Sequence, residues 1–401
     1  MEVQKYDVLV AGCGPAGSSA AYAAASAGAK VAVFEKEPKV ATTVRTSGVT
    51  WIKDAISMGI PSHLYNPIRR YAFCSKNNEV IIEGEKPGAA VLDVRGTYRW
   101  LAERARDAGA KIMTGTVVSG ASRLADGTIC MRVTDSVGSA SYTCGVAVDA
   151  SGFASVLASR LGGVKRWTKF GSGAEYEAHA EHVDIDTWWL MVGSEYTPSG
   201  YAWIFPVSSD TIRIGVGVGK PDWPEDPKRL LDKIIKDKTG PVASLGKITP
   251  IEYHSGVIPN DGTVRRTAYD GLLMVGDSAG QANPLVLEGI RYAIRYGQIA
   301  GTIAADAAIS GDVSASALYS YESKWRAETD SKIRSAFRIQ RRWLKFSDKE
   351  WDAELESIRT LNDTELVQFM KADFGSRYAT KMTLRHPLFT LRQMYRMMKR
   401  Y

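Results

Sequence analysis

The amino end constrains this chain more than any other stretch. KYDVLVAG is a short apolar run that leads directly into GCGPAG at residues 12–17, and SSAAYAAASAGA follows. A second apolar run, KVAVFEKE, reaches Glu35. Strand, glycine turn, small-residue helix and strand make a βαβ unit of the expected size. Gly12 permits the tight turn, Gly14 lets the backbone approach a pyrophosphate, and Gly17, next to Ala16, lets the helix lie close on the strand. The helix start offers free N–H groups and a partial positive charge to an anion. Glu35, followed by Lys36, stands where a carboxylate accepts hydrogen bonds from a ribose diol; a carboxylate there disfavours a 2′-phosphate. The unit predicts dinucleotide binding.

The kind of dinucleotide is indicated 240 residues later. GDSAG at 276–280 follows the apolar run GLLMV. An aspartate at that turn, Asp277, is placed to hold a ribityl hydroxyl. QANPLVLEGIRYAI then enters a helix near Gly289 and Ile290, whose first amides would face the pyrimidine side of a flavin, where the reduced ring is negative. Together the two motifs predict FAD.

Between and beyond them the chain changes character. Residues 93–109 read as a capped helix with Asp93 at its start and Gly109 past its end, and residues 112–149 as a meander of short strands. From 167 to 264 strand-like runs dominate: SGAEYEAHA, TWWLMVG, YAWIFPV and IRIGVGVG, with one helix in DPKRLLDKIIKDK. From about 315 the chain is helical, charged and aromatic. The expected fold class is α/β, α+β overall. A Rossmann-like FAD-binding domain (1–166, closed by 265–314) carries an inserted antiparallel-sheet substrate domain (167–264) and a helical, basic C-terminal region (315–401).

YAWIFP at 201–206 alternates aromatic with small or aliphatic residues, so Tyr201, Trp203 and Phe205 point to one side of a strand that ends at Pro206. Three rings on one face wall either a core or an apolar pocket.

Composition narrows the classes. The chain has 401 residues, 45% hydrophobic and 24% charged, which suits a globular protein of more than one domain. It contains no apolar run of eighteen residues and no basic leader before its first apolar run, so an intracellular, cytoplasmic protein is expected. The four cysteines, Cys13, Cys74, Cys130 and Cys144, form no CxxC pair and no cluster with histidine, so neither disulfides nor a metal are expected. The net charge is +7, and no acidic residue occurs from Gly375 to Tyr401. Arg377, Lys381, Arg385, Arg392, Arg396, Lys399 and Arg400 alternate there with Leu, Phe, Tyr and Met. That mixture suits either a docked helix with a solvated basic face or a peripheral contact with the anionic inner face of a membrane. No nucleic-acid module accompanies it.

With GCGPAG and Glu35, DASGFASVLASRLG at 149–162 and GDSAG…NPLVLEGIRYA, residues 1–310 resemble the geranylgeranyl reductase family. These are flavoproteins with a para-hydroxybenzoate hydroxylase type of fold. YAWIFP matches that family's Y-x-W-x-F-P stretch and is its narrower marker. The resemblance implies an FAD-dependent reductase that saturates double bonds of geranylgeranyl chains by hydride transfer from reduced flavin, the substrate being an archaeal-type ether lipid or, as in plants and bacteria, a chlorophyll or quinone tail. Tyr201, Trp203 and Phe205 would then bind the chain in an apolar tunnel beside the flavin. A ferredoxin-like protein or a nicotinamide would supply electrons.

Many family members carry a cysteine in the loop after the Glu-bearing strand. Here VRTSGVT places Thr46 or Ser47 at that position. A hydroxyl is a much poorer acid than a thiol, so Thr46, Ser47, Tyr201 or water would have to stand in. Arg45 is placed to reach the FAD phosphates, and Arg95 matches a family arginine that contacts FAD. Two other readings share these motifs in part: a flavin-dependent monooxygenase, epoxidase or halogenase, whose W-x-W-x-I-P stretch YAWIFP loosely echoes, and an isoprenoid-binding escort protein without redox chemistry.

Overall fold

A computed structural model describes residues 4–164, 167–387 and 390–391 of the protein. The chain opens with β1 (Gln4–Ala11), α1 (Pro15–Ser26) and β2 (Val31–Phe34). Next come β3 (Val49–Trp51), α2 (Ile52–Ser57), β4 (Tyr65–Ile68), β5 (Arg70–Cys74), β6 (Glu79–Glu83), β7 (Ala89–Leu92) and α3 (Val94–Asp107). The expected meander is β9 (Val117–Arg123), β10 (Ile129–Thr134) and β11 (Ser139–Asp149), preceded by β8 (Lys111–Met113) and followed by α4 (Ala158–Leu161). The strand-rich middle comprises β12 (Phe170–Ala180), β13 (Thr187–Met191), β14 (Ala202–Pro206), β15 (Thr211–Lys220), α5 (Pro227–Asp237) and β16 (Ile248–Pro259). After β17 (Ala268–Tyr269) and β18 (Leu272–Met274), the long α6 (Ile290–Ser310) leads into α7 (Ala315–Trp325), α8 (Ser331–Trp343), α9 (Asp348–Ile358), α10 (Asp363–Met370) and α11 (Ser376–Arg385).

Three sheets organise these elements. The first runs β17-β18-β11-β1-β2-β8, with β10 and β9 added beside β11. Its central pairs, β1 with β11 and β2 and β11 with β18, are parallel. These strands are continuous apolar runs because helices cover them: Val31–Phe34 are all buried, as are Val8, Leu9 and Val10. The cover is α1 laid on α6, and its core is largely alanine and valine. A Cβ on Gly17 would stand 1.9 Å from the Gly12 carbonyl oxygen. On Gly301 it would stand 2.1 Å from that of Ala20. The two helices therefore touch backbone to backbone, which no larger residue allows.

The second sheet runs β16-β12-β15-β14-β13-β5-β6. It departs from the sequence reading in two ways. Strands β5 and β6, from residues 70–83, extend it, so segment 1–166 contributes to both sheets and the sheet reaches outside 167–264. It is also not wholly antiparallel, because β13 pairs parallel with β5. Neither feature has a local signal: EVIIE alternates like any half-buried strand, RYAFC is a short, largely buried run, and a parallel partner 117 positions away is a tertiary choice. The third sheet, β3-β7-β4, is small and antiparallel.

The C-terminal helices cover the aromatic end of the second sheet. Ala336, Ile339, Trp351, Leu355, Leu366 and Phe369 share one core with Trp188, Trp203 and Phe205. No described helix is long and apolar enough to cross a membrane.

Candidate functional site

Between the first sheet's motifs and the second sheet's face lies a cavity of about 710 Å³. At one end are the glycine turn and the start of α1. Gly12 has φ +97°, and a Cβ there would meet the Ala150 carbonyl oxygen at 2.5 Å, so only glycine closes this turn. Gly14 lines the cavity, and a Cβ on it would meet nothing within 4 Å: the space in front of the helix start is free for a bulky anion. Pro15 opens α1. Gly17 does not line the cavity; its contact with Gly12 is the close helix approach.

Glu35 holds the turn together. One carboxylate oxygen accepts the Cys13 N–H at 2.8 Å, the other the Glu37 N–H at 2.9 Å. Each oxygen keeps a lone pair for a ribose hydroxyl. Lys36 is exposed on the rim. Arg45 also lines the cavity, paired with Glu37 at 2.6 Å, and this bond holds the Glu37 carboxyl below its ordinary range. Arg95 is different. Its Nη2 donates to both oxygens of Glu252 at 2.9 Å and its Nε to the Ala41 carbonyl at 3.1 Å. It joins α3 to β16 outside the cavity lining, so the structure does not place it at the cofactor.

At the far side of this groove stands Asp277. Its carboxylate accepts no hydrogen bond from the described residues, and burial pushes it up to about 6. A lone carboxylate facing a groove suits a ligand hydroxyl, the donor that a ribityl chain would bring. Gly289 and Ile290 lie beside it: a Cβ on Gly289 would stand 3.5 Å from the nearer Asp277 oxygen, and Ile290 begins α6. Free space before α1, spare acceptors on Glu35, an unpaired Asp277 and the start of α6 line one cavity, and that set of acceptors and helix starts fits FAD.

The second sheet supplies the opposite wall, and its register explains the wall's composition. Side chains on one face fall in rows across the strands. One row is His254, Glu175, Gly215, Trp203, Leu190 and Phe73. The next has Gly256, Gly173 and Gly217. A Cβ on Gly215 would meet the Trp203 indole at 2.3 Å, so the ring lies flat on a strip of glycine. This is what the G-x-G spacing in IRIGVGVG provides. The Trp203 N–H donates to Glu175 at 2.7 Å, and the other Glu175 oxygen bonds His254 Nδ1 at 3.0 Å. Tyr201 and Trp203 line the cavity, whereas Phe205 is buried behind, stacked on Trp203 and tilted against Trp188. Of the three rings on one face, two face the space and one is core.

Thr46 and Ser47 both line the cavity. Tyr201 donates its hydroxyl proton to the Val286 carbonyl at 2.6 Å, and burial pushes its phenol pKa upward. That proton is committed, which argues against Tyr201 as an acid.

Sequence reasoning overlooked several residues. Tyr98, on α3 one turn past Arg95, lines the cavity. Arg213, buried on β15, bonds the Ser47 and Leu92 carbonyls. From the C-terminal helices come Trp343, Leu344, Trp351, Leu355 and Met370, which line an apolar arm with Phe73 and Leu190. Only the glycine alternation around Arg213 gave a usable signal; the helices carry no motif.

Comparison with known proteins places this geometry. Residues 7–193 match a family model described as FAD dependent oxidoreductase, and residues 170–257 match one described as geranylgeranyl reductase catalytic domain. The chain is 32% identical to a digeranylgeranylglycerophospholipid reductase of Methanocaldococcus jannaschii over 91% of this chain and 94% of that protein. It is 30% identical to digeranylgeranylglycerophospholipid reductase 2 of Methanothermobacter thermautotrophicus, over 88% and 92%. Among solved structures, a geranylgeranyl bacteriochlorophyll reductase-like protein of Thermoplasma acidophilum superposes with TM-score 0.86 at 22% identity, covering 98% of this chain and all of that one. A flavin-dependent brominase aligns with TM-score 0.72 at 16% identity, covering 96% and 99%, and shares the fold alone.

Proposed function

As the chain belongs to the geranylgeranyl reductase family of FAD-dependent oxidoreductases, we propose that it saturates the double bonds of geranylgeranyl chains in archaeal-type ether lipids. The observation that carries this is the continuity of one cavity. A cradle for FAD opens into an arm walled by Trp203, Phe73, Leu190, Trp351, Leu355 and Met370, which has the chemistry of a hydrocarbon chain.

FAD, when bound, supplies hydride from its reduced form. The chain's own residues do the rest. Gly12, Gly14, Ala16 and the start of α1 take the pyrophosphate, Glu35 with Lys36 the adenosine ribose, Asp277 the ribityl chain, and Gly289 and Ile290 the ring's pyrimidine edge. Arg45, paired with Glu37 here, would hold a phosphate by exchanging that partner. Trp203 and Tyr201 hold the isoprenoid against the flavin, and the apolar arm keeps bulk water away, which strengthens the electrostatics of the site. With Tyr201 committed to Val286, the proton for the second carbon comes from water held by the Thr46 and Ser47 hydroxyls.

The partners in this reading are the lipid, an electron donor that is a ferredoxin-like protein or a nicotinamide, and the anionic face of a membrane. Arg392, Arg396, Lys399 and Arg400, on which that membrane contact depends, lie outside the described residues.

The test is anaerobic. Bound flavin is reduced with dithionite, a geranylgeranylated ether lipid is added, and flavin reoxidation is followed with product mass. Reoxidation with a gain of hydrogen pairs is expected. A flavin that stays reduced until air enters, with oxygen appearing in the product, transfers the protein to the monooxygenases.

A further inference from the structure

The loop that carries Thr46 and Ser47 is held from behind by a charge. Arg213 lies on β15, two residues before the first glycine of the wall, and is 3% exposed. Its Nη1 donates to the carbonyls of Ser47 at 3.0 Å and Leu92 at 2.8 Å, and its Nε donates to Glu177 at 3.0 Å. Three segments distant in sequence thus meet on one guanidinium: the cavity loop, the strand end that leads into α3, and β12. The loop closes on it directly. Gly48 has φ +79°, and a Cβ there would stand 2.9 Å from Arg213 Nη1. The loop's other end rests on β16, where a Cβ on Gly256 would meet the Arg45 carbonyl at 2.3 Å. The second sheet therefore carries the loop on two points, one of them a cation.

We propose that Arg213 is a positioning residue for the redox centre: it pins the Thr46–Gly48 turn against the FAD cavity and keeps a positive charge behind that turn which favours the reduced, anionic flavin. Guanidinium stays protonated under all working conditions. Its one anionic partner among the described residues, Glu177, has a side chain 23% exposed, so solvent screens the carboxylate more than the cation. In a water-poor site a fixed charge acts over more than one contact. Of the other charges near the cavity, Arg95 is paired with Glu252, and Asp277 accepts no hydrogen bond from the described residues. Arg213 acts through the loop and its field, and touches neither substrate nor hydride. The inference rests on the FAD cavity alone, not on the identity of the lipid.

The measurement is the two-electron midpoint potential of the FAD-loaded protein, with flavin absorbance as the check on loading. R213Q removes the charge and should lower the potential by about 30 mV, a tenfold change in the preference for reduced over oxidised flavin. R213K keeps the charge without the fork and should stay near wild type. E177Q removes the opposing carboxylate and should raise the potential. An R213Q potential equal to wild type, or an R213K potential as low as that of R213Q, overturns the proposal. If R213Q does not retain FAD, E177Q decides: a rise supports the charge, and an unchanged or lowered value removes it. None of these readings depends on whether the lipid is reduced, so the reductase assignment and this one stand or fall separately.

Discussion

The two large sheets are packed by opposite means. Around the first, α1 and α6 meet through Gly297 and Gly301, and the core is largely alanine and valine. Around the second, Trp51, Tyr71, Trp188, Trp203, Trp351 and Phe369 fill the core. Small residues let backbone approach backbone, which brings N–H groups and helix starts up to a ligand's phosphates. Large rings cannot tile space so closely, and where they face the cleft they leave an apolar arm. One packing style builds a polar cradle and the other a greasy channel, and the site lies where they meet.

The sharpest way to break this contrast is to put a branched side chain into the small-residue seam. G301V would drive its Cβ toward the Ala20 carbonyl oxygen, 2.1 Å away, with Ala20 Cα at 2.9 Å. Both neighbours are backbone and cannot swing aside. A cost of about 3 kcal/mol or more is expected. Thermal melting with flavin content should show a protein that melts much lower and loses FAD; normal loading and melting would mean the helices are not packed as described. On the aromatic side the effect is smaller. W203F keeps a ring on the glycine strip but removes the N–H that Glu175 accepts at 2.7 Å. Leaving that carboxylate oxygen unpaired should cost about 1–3 kcal/mol while FAD stays bound. Equal melting of W203F and wild type would show that the bond contributes nothing.

The same contrast decides what could be read from sequence. Backbone-driven packing leaves a signature in order and spacing, because glycine is required at fixed places: GCGPAG, Glu35 and GDSAG all mark residues that line one cavity. Side-chain packing leaves a weaker one. YAWIFP placed Trp203 on the cavity, yet alternation alone could not separate Trp203, which lines it, from Phe205, which lies behind it in the core. Arg95 matches a family arginine that contacts FAD, but here its Nη2 is engaged by both oxygens of Glu252, 157 residues away. Trp343 and Trp351 look like ordinary amphipathic-helix residues, and only docking onto the second sheet makes them a wall.

Asp277 sharpens the comparison on the polar side. Its ordinary value is 3.8, and burial without a partner raises it to about 6. A raised acid favours the folded protein when protonated, so this contribution is complete below about pH 3.8 and is lost as pH rises through about 6. At neutral pH the ligand-free protein therefore carries a destabilising carboxylate. D277N should stabilise the apoprotein at pH 7 by about 1–2 kcal/mol and flatten its melting profile between pH 4 and 6, while weakening FAD binding. Apoprotein melting and FAD titration would be run side by side. A variant with weaker FAD binding and no gain in apoprotein stability would show that Asp277 already has a partner in the folded chain.

The smallest effect concerns how the aromatic side is finished. Glu365, buried near the start of α10, accepts from the Asn362 N–H at 3.2 Å and pairs with Lys381 at 3.2 Å, Arg385 at 3.0 Å and His386 at 3.0 Å. Burial alone would raise this carboxyl, but these donors outweigh it and hold it at about 2, well under its ordinary 4.5. A lowered acid stabilises the fold above pH 4.5, and the benefit is lost as pH falls through about 2. Lys381 and Arg385 are roughly half exposed, so screening keeps the pairs modest. E365Q should cost about 1 kcal/mol, felt locally: amides of Ser376–Arg385 should exchange faster with solvent while those of β14 do not change. This separates two roles for the basic end of the chain. If α11 loosens and FAD loading and the apolar arm are unaffected, Lys381 and Arg385 serve to dock the helix. If exchange in α11 is unchanged, its docking rests on Tyr378 and Met382 in the aromatic core, and its two cations are free to face something else.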